Sequence, residues 1–278
     1  MATCTRRLLG LLLFCFAPIA ARAAEPASLE GGYRLMYSFD SDAAGRELGR
    51  WAADHPGNPL GPVSQAANLL VSELSRLGIL QAQFFVNDSW FTTSRRVEPD
   101  LAFRARFEAI LGEAARLADA RLRRDAGDRD ALFSMTLVSG LHADCAALIE
   151  QRSLASLPYT REGARWAARL LALAPDYADA RLATGISEYV VGSLPAPIRW
   201  SLRLGGYSGN KAAGVEQLRI TAERGRLLAP LARILLSIVY LWDGDRARAR
   251  QMLAGPCRDF PTNPLFASEI RRLDHGEG

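Results

Sequence analysis

The residues best equipped for chemistry are scattered through this chain. Its three histidines, His55, His142 and His275, each stand apart from any Cys, His, Asp or Glu cluster with metal-ligand spacing, and there is no HExxH or paired-cysteine arrangement. His142 falls on an expected helix, where a satisfied groove or core histidine accounts for it. His55 and His275 lie beside breakers or the tail and are expected in solvent. No G-x-S-x-G elbow is present, and Cys145 has no signature of a thiol nucleophile around it. The run Gly205-Gly206-Tyr207-Ser208-Gly209-Asn210-Lys211 misses the spacing of a phosphate-binding loop and lacks a preceding strand. It reads as a turn leading to an Asn or Ser helix cap, with the modest anion affinity of any helix N-terminus left over. Glu188, after Gly185-Ile186-Ser187, is the one glutamate in an unusual setting. A glycan-cleaving role would need a positioned acidic partner, and none stands beside it.

Charge and composition narrow the classes further. The excess of four basic residues shrinks to one when Arg6, Arg7 and Arg22 are set aside with an expected leader (34 − 3 = 31 basic against 30 acidic). No basic stripe with interleaved aromatics exists, so nucleic acid is not an expected partner. Lys211 is the sole lysine; the arginine bias is that of a GC-rich bacterial coding sequence. The leader itself consists of Arg6-Arg7, an apolar run from Leu8 to Ala20 and the small-x-small pattern Ala21-Arg22-Ala23. This is the layout of a secretory signal peptide over residues 1–23, and the run is shorter than the roughly 20 residues a span needs. An uncleaved anchor is the alternative. Export predicts the periplasm, with peripheral membrane association open and no span in the mature chain. Cys145 and Cys257 are expected as two buried structural cysteines, not a disulfide.

The remaining sequence is built of helices. From Leu101 to Arg124, apolar residues recur every three or four positions, and no stretch alternates like a strand. Breakers such as Pro56-Gly57-Asn58-Pro59, Pro158, Pro175-Asp176, Pro195-Ala196-Pro197 and Pro261-Thr262-Asn263-Pro264 separate the helical segments. A 34-residue frame starting at Pro230 places Leu236 and Ser237 at a large-then-small pair, then Tyr240, Gly244, Ala249, Leu253 and Pro261 at positions 11, 15, 20, 24 and 32. Pro256 stands where a small residue belongs and is expected to kink or shorten the second helix. Weaker copies begin near Asp130 and Ala178, with Gly185 and Gly192 at small positions. The second copy is interrupted by an insertion from Ser193 to Gly209. These residues resemble the tetratricopeptide repeat (TPR) family. The resemblance is firm over about 85 residues and extends less strictly over about 150.

It implies an all-α, right-handed α/α superhelix with expanded connections. The expected layout is a linker over 24–37, N-terminal helices over 38–126, and repeats with a capping helix over 127–274. It also implies a concave groove lined by Met135, His142, Leu182, Ile186, Tyr189, Ile234, Ile238 and Trp242. Such an apolar groove requires an occupant. Either the chain fills it, with Phe84 to Phe91 suited to the task, or an apolar ligand does. On the rim, Arg199, Trp200, Arg203, Tyr207 and Lys211 form a cationic, aromatic cluster on the insertion, the expected partner surface. The resemblance therefore implies a non-catalytic protein-interaction scaffold of the bacterial cell envelope, without cofactor or metal. The alternatives are a binding protein for a small apolar or anionic ligand, and, behind it, a periplasmic glycan-acting enzyme.

Overall fold

The computed structural model describes residues 26–80, 100–204, 206 and 208–275. The expected leader, the aromatic connection 84–91 and Tyr207 lie outside the described residues. Among the described residues there are twelve α-helices and no strand. They are α1 (Leu29–Tyr37), α2 (Ser41–Asp54), α3 (Leu60–Arg76), α4 (Leu101–Leu122), α5 (Arg129–Asp144), α6 (Ser153–Leu173), α7 (Arg181–Ser193), α8 (Ala196–Leu204), α9 (Lys211–Arg224), α10 (Ala229–Trp242), α11 (Arg246–Asp259) and α12 (Pro264–His275). The α5 helix runs on into a π-helical turn, Cys145–Ile149.

The helix starts follow from local chemistry. Ser28, Asp40, Asp100, Asp128, Asn210 and Asp245 each cap a helix by accepting a hydrogen bond from a backbone N–H two or three residues on. Each such cap contributes about 1 kcal/mol. Consecutive helices pack on one another, most extensively α5 on α6, α7 on α9 and α10 on α11, with α12 closing the series. One core joins Leu29, Tyr33 and Met36 of α1 to Phe107 of α4, Phe133 of α5, Leu170 of α6, Leu218 of α9 and Leu236 of α10. A smaller core of Ala249, Leu253, Phe260, Phe266 and Leu273 holds α11 and α12 together. Arg129–Ile149 is long and apolar enough to cross a membrane, but more than half of it is buried inside the fold, where Leu132 and Phe133 are fully enclosed.

Several expectations need correction. Residues 24–37 are not simply a linker, because α1 occupies Leu29–Tyr37. Its Leu29, Tyr33 and Met36 share one face, and Gly31-Gly32 disguises the pattern. Gly32 is there for close approach: a Cβ on it would lie 2.3 Å from Leu48 Cδ2 of α2. The α1 helix also reaches the far end of the chain. Tyr37 Oη donates to the Leu227 carbonyl (3.2 Å), Asn263 Nδ2 donates to the Tyr37 carbonyl (2.8 Å), and the Tyr37 ring lies 5.5 Å from that of Phe260. Pro158 does not lie in a linker but inside α6, whose first turns it joins without ending them. Pro256 likewise sits within α11, which continues to Asp259. The Ser193–Gly209 insertion carries a helix of its own, α8. Cys145 is buried but Cys257 only half-buried, and both are free thiols.

Candidate functional site

The expected groove positions do not form an open apolar trough. Leu182, Tyr189 and Ile238 are buried, Met135, His142, Ile186 and Ile234 are half-buried, and Trp242 is the one among these eight that is exposed, at 47%. Part of the cover is visible around His142. The Phe107 ring meets it edge-on at 6.4 Å, Tyr159 stacks on it at 5.2 Å, and Nε2 lies 3.2 Å from Glu108 Oε2. Beside it, burial, reinforced by Glu150, pushes the Cys145 thiol up to about 11. A thiol held protonated is a poor nucleophile.

At the opposite end of the expected groove, three elements converge. Tyr189 comes from α7, Lys211 from the first residue of α9, and Trp242 and Asp243 from the end of α10. The Tyr189 and Trp242 rings stack at 6.3 Å with 21° between their planes. Lys211 Nζ sits 5.7 Å from the Tyr189 ring centre and 2.5 Å from Asp243 Oδ1. A cation at a helix N-terminus opposes the macrodipole; here the carboxylate and the aromatic face offset that cost. The hydrogen bond to Asp243 holds the Lys211 ammonium above its ordinary range, and burial raises the Tyr189 phenol despite the nearby ammonium.

Glycines fix this convergence. A Cβ on Gly192 would fall 2.4 Å from Lys211 N, and one on Gly214 2.6 Å from Tyr189 N, so α7 and α9 cross with backbones nearly touching. Glu188 belongs to the same joint. Its Oε2 accepts from Asn210 N at 2.7 Å, and Asn210 in turn caps α9. The unusual glutamate is thus a tie between helices, not an isolated acid.

The rim cluster divides. Lys211 joins Tyr189 and Trp242, whereas Arg199 turns back to the Gly192 carbonyl (Nη1 to O 3.1 Å). Trp200 and Arg203 are exposed on α8, with Trp200 at 67%. The site thus gathers Tyr189, Trp242 and Lys211 and leaves Met135, His142, Leu182, Ile186, Ile234 and Ile238 elsewhere in the packing.

Two clefts open elsewhere. One, of about 540 Å³, is lined by His55, Asn58, Arg121, Arg124, Asp125 and Asp128 among others. Several of its charges serve the fold: Arg121 Nε pairs with Asp128 (2.7 Å) and Asn58 Nδ2 donates to Asp130 (2.8 Å). The other, of about 250 Å³, lies between α1 and residues 226–230, with Glu30 and Arg226 paired across it at 2.9 Å. Among the described residues no group of three or more His, Cys, Asp or Glu is placed to hold a metal.

Sequence reasoning missed Asp179. It is buried in the short 3-10 turn Ala178–Ala180, where its carboxylate accepts from Arg226 N (3.0 Å), Leu227 N (3.2 Å) and Leu228 N (2.9 Å). The tie fixes the three residues that lead into α10, whose N-cap Leu228 has no capping side chain. No family model and no curated protein matches this chain.

Proposed function

We propose that this chain is a non-catalytic interaction scaffold of the bacterial cell envelope, built as a TPR-type superhelix and exported by its N-terminal leader. The repeat reading is supported by the burial pattern in the frame from Pro230. Leu236, Ser237, Ala249 and Leu253 are all fully buried where α10 crosses α11, and Gly244 supplies the positive φ (75°) of the turn between them. The same small-residue logic operates at Gly185 and Gly192 between α7 and α9.

The observation that carries the functional reading is the Tyr189–Trp242–Lys211 face. A half-exposed tryptophan stacked on a buried tyrosine, with a positioned ammonium and carboxylate, is the composition of a protein-binding hot spot. It is not the composition of a reaction centre, which needs groups poised to exchange protons with a substrate. The partner is a protein segment with an apolar or aromatic anchor for Trp242 and a polar group for the Lys211–Asp243 pair. Affinity capture of the chain from Ala24 out of envelope extract, with crosslinking and mass spectrometry, tests this reading. Retention of a defined protein by the wild type and its loss in Trp242→Ala/Lys211→Gln is the expected result. Equal retention by both, or none by either, rejects the assignment of this face.

A further inference from the structure

The α8 helix carries large apolar residues that the fold leaves mostly uncovered. None of its nine residues is buried, and it is the one helix of the twelve described that packs extensively against no other. Its sequence, Ala-Pro-Ile-Arg-Trp-Ser-Leu-Arg-Leu, places Pro197, Trp200 and Leu204 on one stripe by their three- and four-residue spacing. Trp200 and Leu204 are 67% and 77% exposed, and Ile198 also reaches solvent. The opposite side faces the body: Leu202 is half-buried and Arg199 is anchored to the Gly192 carbonyl. The exposed stripe is therefore directed outward.

The charge along this part of the sequence is of one sign. Between Glu188 and Glu216 the chain has no acidic residue, while Arg199, Arg203 and Lys211 are all basic. Arg203 is exposed on α8 itself, and the Arg161 guanidinium lies beside Gly206 just past the helix, within 3.1 Å of where a Cβ would stand. Lys211 is paired with Asp243, so the exposed Arg203 is the charge that α8 itself presents to solvent. An aromatic and a leucine directed outward, flanked by arginines on a short helix, form the pattern that inserts at a bilayer interface and is drawn to anionic headgroups.

We propose that α8 is a membrane-docking element that seats Trp200 and Leu204 in the interfacial layer of an anionic bilayer, with Arg203 at headgroup level. The docking residues are not those of the Tyr189–Trp242–Lys211 face, so the two proposals are tested by different substitutions. The inference does not depend on a protein partner existing.

The test is co-sedimentation with vesicles of phosphatidylcholine alone and of phosphatidylcholine mixed with phosphatidylglycerol. It uses the chain from Ala24, so that the apolar run Leu8–Ala20 contributes no binding of its own. Binding to the anionic vesicles, weakened by salt, is expected. Trp200→Ala/Leu204→Ala should lower the partition coefficient about tenfold or more, given the apolar area withdrawn. Arg203→Gln should weaken binding to the anionic vesicles and narrow their advantage over neutral ones. Trp200, Arg203 and Leu204 are all exposed, so helix content by circular dichroism should stay at the wild-type value in both variants. Trp242→Ala should leave vesicle binding unchanged, which separates this inference from the protein-partner reading. Absence of vesicle binding, or binding unaffected in either variant, overturns the proposal. So does self-association that depends on Trp200 without any vesicle binding, which would assign the stripe to a second copy of the chain.

Discussion

Replacing Asp179 with alanine should destabilise the protein more than any change at a comparable polar residue. Its carboxylate accepts from three successive backbone N–H groups, those of Arg226, Leu227 and Leu228, in the turn that leads into α10. The side chain is only 5% exposed, so water has little access to replace it. Hydrogen bonds to a charged acceptor contribute about 1.5–3 kcal/mol each, and orphaned buried donors cost a similar amount. The three share one acceptor and are not additive, so the expected loss is about 3–4 kcal/mol. That is a large share of a typical total of about 5–15 kcal/mol. Asp179→Asn keeps one acceptor oxygen and should lose about half as much. Urea unfolding followed by circular dichroism measures both, with the midpoint moving and the slope unchanged. A loss below about 1 kcal/mol for Asp179→Ala would refute the reasoning, because it would mean that the three donors find other partners at little cost.

Three further outcomes follow from the packing. Phe107 is fully buried and stacks on Phe103 at 5.4 Å, so Phe107→Ala should cost about 3–5 kcal/mol in the same unfolding assay. Gly214→Ala places a Cβ 2.6 Å from Tyr189 N and 2.8 Å from Gly185 O, and should cost about 1–3 kcal/mol while forcing α7 and α9 apart, a shift visible as altered Trp242 fluorescence. Tyr33 is a buried phenol raised to about 12 by desolvation, and burial raises Tyr37 and Tyr177 as well. The neutral phenols favour the fold below the unfolded value near 10. Above it, each group lowers stability by about 1.4 kcal/mol per pH unit until its folded value is passed. Tyr33→Phe should therefore leave stability near pH 7 little changed and flatten its decline between pH 10 and 12, as read by urea unfolding across that range.

The helical architecture was legible because its signals are local. Asp128 and Asn210 cap their own helices, and the three- and four-residue spacing in α4 marks its buried face. Gly185 and Gly192 announced a close crossing. What escaped depends on contacts distant in sequence. The α1 helix is short, contains two glycines, and is held by Leu48 and by residues near 227 and 260, which no local pattern reveals. Asp179 is tied to residues 226–228, nearly fifty positions on, which no local pattern announces. Pro158 and Pro256 read as breakers, yet both are accommodated inside helices that packing holds together. For the candidate site, the grouping in space was not legible from the sequence. Lys211 was assigned to the α8 arginines by sequence proximity, whereas Asp243 and Tyr189, brought close by folding, hold it against Trp242.

The most direct test of the scaffold reading is photo-crosslinking in intact cells from a reactive residue placed at position 242, compared with one at exposed Leu173 on α6. The account predicts a discrete crosslinked protein from position 242, none from position 173, and loss of the product when Lys211 is also changed to glutamine. No product at position 242, or the same products from both positions, would contradict it.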